Sequence, residues 1–266
     1  MSDVQYKFDK KIEEMLFKKS IPQILHDGVQ FENLLITLLQ TQQIVNNEKI
    51  SGISTSDMLV VHDMHKGAEY ILNEYADFDF EKLKVLHSIT GRDDAFNPGQ
   101  LRTSAGGFNT TKGTFTPDAV EPAAVEKYFN QLLADTELTP EAKASKIFTY
   151  LSRAQLFNDT NKRTAVLAAN VPLLQHGAGV FYIPEAAMEN VLHLMGEFYH
   201  SNDDRVLVAV LMELAISDFD GKTYYAPEHQ AYEYANEHQT LINTFKGLGA
   251  KGLLGKQRVE QLLATK

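Results

Sequence analysis

The stretch Leu156-Phe157-Asn158-Asp159-Thr160-Asn161-Lys162-Arg163-Thr164-Ala165 decides how this 266-residue chain is read. It joins an apolar helical run, Ala144 to Phe157, to a second run, Thr164 to Leu174. A short polar turn between two buried helices puts the start of the second helix at a concave surface. Such a start carries unpaired backbone N–H groups and the positive end of the helix dipole, so it attracts phosphate. Asn161, Lys162 and Arg163 add side-chain donors and two positive charges, and Asp159 adds a carboxylate able to hold magnesium beside the phosphates. In a purely structural alternative, Asp159 or Thr160 caps the helix and the two cations are solvated in its first turn. Cations at a helix start oppose the dipole, which counts against that alternative.

Hydrophobic residues make up 44% and charged residues 23% of the chain, which places it among globular proteins. Its length suits one large domain, or one domain with an appendage. The net charge of -10 argues against non-specific nucleic-acid binding and leaves Lys162-Arg163 as a local basic site for a small anion. There is no cysteine, so disulfides, thiolate zinc sites and cysteine nucleophiles are excluded. No apolar signal segment opens the sequence and no run approaches the length of a membrane span, so a cytoplasmic location without membrane contact is expected.

Apolar spacing predicts helices along most of the chain. The first covers about 6–19 and is ended or restarted by Pro22. A broad stripe from Val29 to Ile44, through Phe31, Leu34, Leu35, Leu38 and Leu39, reads as one buried amphipathic helix. Further helices are expected from Ser56-Asp57 to Tyr75, from Phe80 to Ile89, from Pro117-Asp118 to about Ala134, from Thr139-Pro140 into the motif, and over 184–200 and 202–217. Glycines and prolines punctuate residues 91–118, a long loop with room for a short hairpin. The tyrosines and glycines after Phe219 mark a C-terminal appendage. The fold class is therefore all-α: a mainly helical domain over 1–218 with a short β-hairpin flap, and a helical appendage over 219–266. His62 and His65 lack an evident third ligand, and His87, His176, His193 and His200 read as packing or surface residues.

Beginning at Gln155, the motif resembles that of the Fic/Doc family, His-x-Phe-x-(Asp/Glu)-(Gly/Ala)-Asn-(Gly/Lys)-Arg, most closely its Doc branch. Gln155 stands where the family has its catalytic histidine. Two more stretches match in order. Pro98-Gly99-Gln100-Leu101-Arg102 resembles the family's Pro-Gly-x-Tyr-Arg, which makes the following loop, with Gly106, Gly107, Phe108 and Thr110, a flap that pairs with a target protein. Thr41-Gln42-Gln43-Ile44-Val45-Asn46-Asn47, within a helix near 29–47, resembles the inhibitory pattern (Ser/Thr)-x-x-x-Glu-(Gly/Asn) with Val45 in place of the glutamate. The arginine that this glutamate pairs with is replaced by Val166. The resemblance spans about residues 30–200.

The resemblance implies a Fic fold and, in its active members, transfer of AMP or a phosphoryl group to a protein hydroxyl. By position, Asp159 would hold Mg²⁺, and Thr160, Asn161, Lys162 and Arg163 would form the phosphate loop for ATP or another nucleotide. Gln155 cannot act as a general base near neutral pH, and lost acid–base help slows such steps by about two to four orders of magnitude. Three readings stay open: a nucleotide-binding protein with weak or no transfer, an active AMP- or phosphotransferase without a histidine base, and a non-catalytic interaction module. Val45 and Val166 are expected to lie close together, an ion pair replaced by apolar packing at both ends.

Overall fold

The helix that follows the motif holds the molecule together. The computed structural model describes residues 8–110, 112–219 and 224–228. Among these, α1 (Lys10–Phe31), α2 (Leu38–Val45), α3 (Thr55–Glu74), α4 (Phe80–Thr90), α5 (Pro122–Ala134), α6 (Pro140–Ala154), α7 (Asn161–His176), α8 (Glu185–Ser201) and α9 (Arg205–Leu214) are α-helical. Two short hairpins, β1 (Phe108–Thr110) with β2 (Gly113–Phe115) and β3 (Asp218–Phe219) with β4 (Tyr224–Tyr225), complete the fold. The expected mainly α-helical architecture with a hairpin flap is what the chain adopts. None of the described helices is long and apolar enough to cross a membrane.

Only Lys162, Gln175 and His176 of α7 escape burial. A helix apolar on every side must be surrounded, and α7 packs on α1, α3, α4 and α6. Asn170, its one deeply buried amide, donates to Val166 O and Phe181 O and accepts from Phe181 N, which pins the extended segment after α7. Gly177 ends the helix at φ 57°, and a Cβ there would lie 2.3 Å from Phe8 O, so only glycine fits.

The N-terminal half departs from its expected pattern. Pro22 does not end α1; the helix runs through it. An interior proline costs about 3 kcal/mol, offset here by the burial of Ile21, Ile24 and Leu25 around it. The stripe from Val29 to Ile44 is not one helix. Asn33 turns to φ 54°, and Thr37 restarts the helix through a reciprocal box with Gln40 (Gln40 N to Thr37 Oγ1 3.2 Å, Thr37 N to Gln40 Oε1 2.9 Å). Leu35, placed in the break, is 97% exposed rather than buried.

Three boundaries also move. Residues 118–121 are not helical, and α5 starts at Pro122 in the favoured first position. Helix α9 stops at Leu214, because residues 215–217 pair with the segment after α7 (Tyr182 N to Ala215 O 2.9 Å, Ser217 N to Val180 O 3.0 Å). Tyr224 and Tyr225 form a strand rather than a helix. The appendage beyond 228, including the Gly247–Gly255 run and the basic closing segment, lies outside the described residues.

Candidate functional site

The motif turn begins where α6 stops. Gln155 caps α6 in the left-handed conformation (φ 47°, ψ 57°). Its Nε2 donates to Ser152 O (2.7 Å) and its Oε1 accepts from Asn161 Nδ2 (3.2 Å). The amide that stands in the histidine position is therefore spent on holding the turn together. Asn161 is spent in the same way: Oδ1 accepts from Phe157 N (3.0 Å), and Nδ2 donates to Phe157 O (2.9 Å) and Asp159 O (3.2 Å). Leu156 and Phe157 are buried beneath.

Helix α7 starts without a side-chain cap. Thr160 sits at φ 56°, ψ 15° and makes no capping hydrogen bond. Asp159 turns one oxygen back to Thr160 N (2.6 Å) and leaves its carboxylate exposed. The structural alternative of a capped start is thus not what forms. The first N–H groups of a sixteen-residue helix keep their polarity for another partner.

His87 organises the turn from below. It is fully buried and stacks on Phe157, ring centroids 3.8 Å apart and 12° from parallel. Nδ1 accepts from Gly99 N (2.9 Å), which places the ring proton on Nε2. Nε2 in turn donates toward Asp159 O (3.0 Å) and Thr160 Oγ1 (2.8 Å). Burial pushes its pKa down to about 4, with the nearby Arg163 acting in the same direction against the Asp159 carbonyl. Both nitrogens are occupied, so His87 is no base for a substrate.

Arg102 fastens the flap. Its guanidinium donates to Gln155 O, Ser104 O (3.0 Å) and Asp118 O, and its N–H donates to Leu156 O (2.9 Å). One buried side chain thereby ties both stems of the β1–β2 hairpin to the motif. The hairpin, in register Phe108↔Phe115 and Thr110↔Gly113, lies on α8. Phe108 and Phe115 pack on Tyr199 (5.1 and 5.4 Å), and Thr110 Oγ1 meets His200 Nε2 (3.0 Å).

Between hairpin and motif is a cleft of about 370 Å³, at the small end for a ligand site. Gly106, Gly107, Phe108, Gln155, Asp159, Thr160, Asn161 and Lys162 line it, with Arg102 and Glu32. Lys162 donates to Phe31 O (3.2 Å) at the C-terminal end of α1, and burial lowers its pKa. Thr110 faces α8 instead, and Arg163 lies beneath the cleft rather than in its wall. The Arg163 side chain is 2% exposed, with Nε 3.2 Å from Glu32 and Nη1 2.8 Å from Asp94. α1 comes this near because Gly28 has no side chain: a Cβ there would lie 3.2 Å from Arg163 Cγ and 2.0 Å from Met64 Sδ.

Of the inhibitory-like residues, Thr41 is buried with its hydroxyl on Thr37 O (3.1 Å), and Asn46 caps α2. Val45 is half-buried and Val166 fully buried. Helix α2 packs chiefly on α1 and α3. Asp63, between His62 and His65, is buried beside Arg92 (2.8 Å), and no cluster of three metal-ligating side chains occurs among the described residues. Sequence reasoning missed His87, Glu32 and Asp94 as builders of the site. The signal in the sequence was Asp93-Asp94, two adjacent carboxylates in the glycine-punctuated loop 91–118.

A profile of the Fic/DOC family matches residues 77–173. No curated protein matches the sequence. Among solved structures, a Fic domain-containing signaling protein from Bacteroides thetaiotaomicron superposes with a TM-score of 0.61 at 18% identity, covering 92% of this chain and 88% of that one. A fragment of Fic-1 from C. elegans gives 0.63 at 17% identity, covering 88% and 67%. A Fic family protein from Desulfovibrio desulfuricans gives 0.61 at 15%, covering 84% and 67%. The match takes in α4, the Arg102-anchored hairpin, the motif turn and most of α7, and over these residues the chain resembles the Fic/DOC family and shares the fold of its solved members.

Proposed function

We propose that the cleft binds the phosphates of a nucleotide such as ATP, and that transfer from it to a protein hydroxyl is weak or absent. The observation that carries this reading is the uncapped start of α7, opening on a cleft beside Lys162. Backbone N–H groups of Asn161 to Arg163 and the Lys162 ammonium would take phosphate oxygens. The exposed carboxylate of Asp159, with one oxygen left unspent, fits a magnesium ion shared with phosphates, since that ion takes one or two protein carboxylates. When bound, Mg²⁺ would neutralise phosphate charge. A target segment would pair with the hairpin edge over the same cleft.

Gln155 limits the chemistry. A neutral amide accepts no proton near pH 7, and this one is already bonded at both ends. Its contribution is to fix the turn.

A second reading, a non-catalytic interaction module, rests on one observation: Arg163 is engaged by Glu32 and Asp94 rather than offered to the cleft. Glu32 also places a carboxylate in the cleft wall, where it repels phosphate. Calorimetry with ATP and Mg²⁺ separates the two. Under the nucleotide reading the wild type binds, Lys162→Ala weakens binding, and Glu32→Gln tightens it by about tenfold through removal of a like charge. If neither wild type nor Glu32→Gln binds at millimolar ATP, the module reading replaces it. ATP labelled at the α or γ phosphorus then shows whether any group moves to a protein, and which.

A further inference from the structure

A second cleft, about 460 Å³, lies behind the flap, between α5, α6 and the α8–α9 junction. It shares no lining residue with the cleft of the motif. We propose that this groove binds a small aromatic carboxylate, with Arg153 as the carboxylate partner and Tyr128 and Tyr150 as the ring platform. The site goes beyond the nucleotide reading and stands or falls separately from it.

The apolar wall is aromatic. The rings of Tyr128 and Tyr150 are 4.5 Å apart at 46°, and Tyr128 is 48% exposed. Val125 and Phe198 extend this wall. A flat ligand ring gains from such a platform beyond simple burial.

The charge pattern selects an anion. Lys146 is neutralised by Asp204 at 3.1 Å. Arg153 spends only Nε, on Tyr199 O (3.1 Å), and its guanidinium lies over Phe115 (5.2 Å) and Phe198 (5.9 Å). Its two terminal nitrogens have no partner among the described residues. A last-turn position in α6 accounts for a cation, because it complements the helix dipole. It does not require a two-pronged donor left open in an aromatic groove, the arrangement that receives a carboxylate at two points. Asp118, exposed at the rim, is the only opposing charge in the lining that is not ion-paired among the described residues. Because Arg153 also covers Phe115 of the hairpin, an occupant that draws on the guanidinium also bears on the flap.

The test is an NMR titration with 4-hydroxyphenylacetate and its uncharged amide. The acid should bind saturably below millimolar concentration and the amide about tenfold more weakly, as expected for loss of a charged hydrogen bond. Arg153→Gln should weaken the acid by a similar factor. Asp118→Asn should tighten it by about twofold, by lifting a rim charge. Tyr128→Ala, at an exposed position that leaves the fold intact, should weaken acid and amide alike, and it decides the matter if Arg153→Gln does not fold. Absence of saturable binding at millimolar acid overturns the proposal. So does equal affinity for acid and amide, or an unchanged affinity in Tyr128→Ala.

Discussion

Two buried arginines frame the motif turn, and they are satisfied in opposite ways. Arg102, 6% exposed, donates to the backbone carbonyls of Gln155, Ser104 and Asp118. Arg163, 2% exposed on its side chain, faces the side-chain carboxylates of Glu32 and Asp94 at ion-pair distance, with neither contact aligned as a hydrogen bond. Carbonyls of a folded backbone cannot move away, so Arg102 is a permanent rivet of hairpin to turn. Glu32 and Asp94 are each about a third exposed (30% and 38%) and can rotate into water. The Arg163 side is therefore exchangeable: its carboxylate partners can leave it while the backbone around Arg102 stays in place. Fixity belongs to the Arg102 side and adaptability to the Arg163 side.

Introducing a third arginine should break this pattern most severely. Val166 is fully buried, so Val166→Arg alone should cost more than about 4 kcal/mol in urea unfolding, the penalty of an unpaired buried charge. Adding Val45→Glu should recover part of that loss if the two valines touch, and none if they do not. Next comes Arg102→Ala. Three carbonyls lose their donor, and a loss of about 3–5 kcal/mol is expected. Amide exchange should accelerate throughout the hairpin. A loss of under 1 kcal/mol would remove the claim that Arg102 is the rivet.

The third prediction concerns pH on the exchangeable side. The His87 pKa lies at about 4 in the fold, below its ordinary 6.5. Between these values the unfolded chain binds more protons, so stability falls as pH drops from 6.5 to 4, by up to about 3 kcal/mol. Removing the Arg163 charge should flatten this slope. Glu13, buried with its pKa raised to about 8 mainly by desolvation, acts the other way: its contribution falls as pH rises from 4.5 to 8. Glu13→Gln should reduce the neutral-range slope, to which buried Asp27, raised mainly by desolvation, also contributes, and leave the acid slope. Smallest of all is the effect of salt. Molar sodium chloride should raise amide exchange near Glu32 and Asp94, by less than about 1 kcal/mol of local opening, and leave the Arg102 contacts unmoved.

Much of this was legible in residue order. Helix spacing, the Thr139-Pro140 start and the glycine-punctuated hairpin are local signals, and local physics obeys them. The motif turn was legible because Asn161, Lys162 and Arg163 are consecutive. What escaped were relations across long sequence distance. Glu32 reaches Arg163 only because α1 passes through Pro22 and Gly28 admits the close approach. His87 meets Thr160 across 73 residues of chain. The break at Asn33 was hidden by a continuous apolar stripe, since periodicity counts positions and does not register a single left-handed residue.

Thr160 carries a consequence of a historical kind. A β-branched residue at φ 56° is strained by about 1–3 kcal/mol, and glycine there would not be. The threonine is tolerable because its hydroxyl meets His87. The two residues are thus tied in the order in which they can change. Lose His87 first, and Thr160 is left with strain and no contact. Replace Thr160 by glycine first, and the His87 proton still has the Asp159 carbonyl at 3.0 Å to receive it. One route between these sequences runs downhill and the other crosses a barrier, so this corner of the motif has a preferred direction of mutational travel.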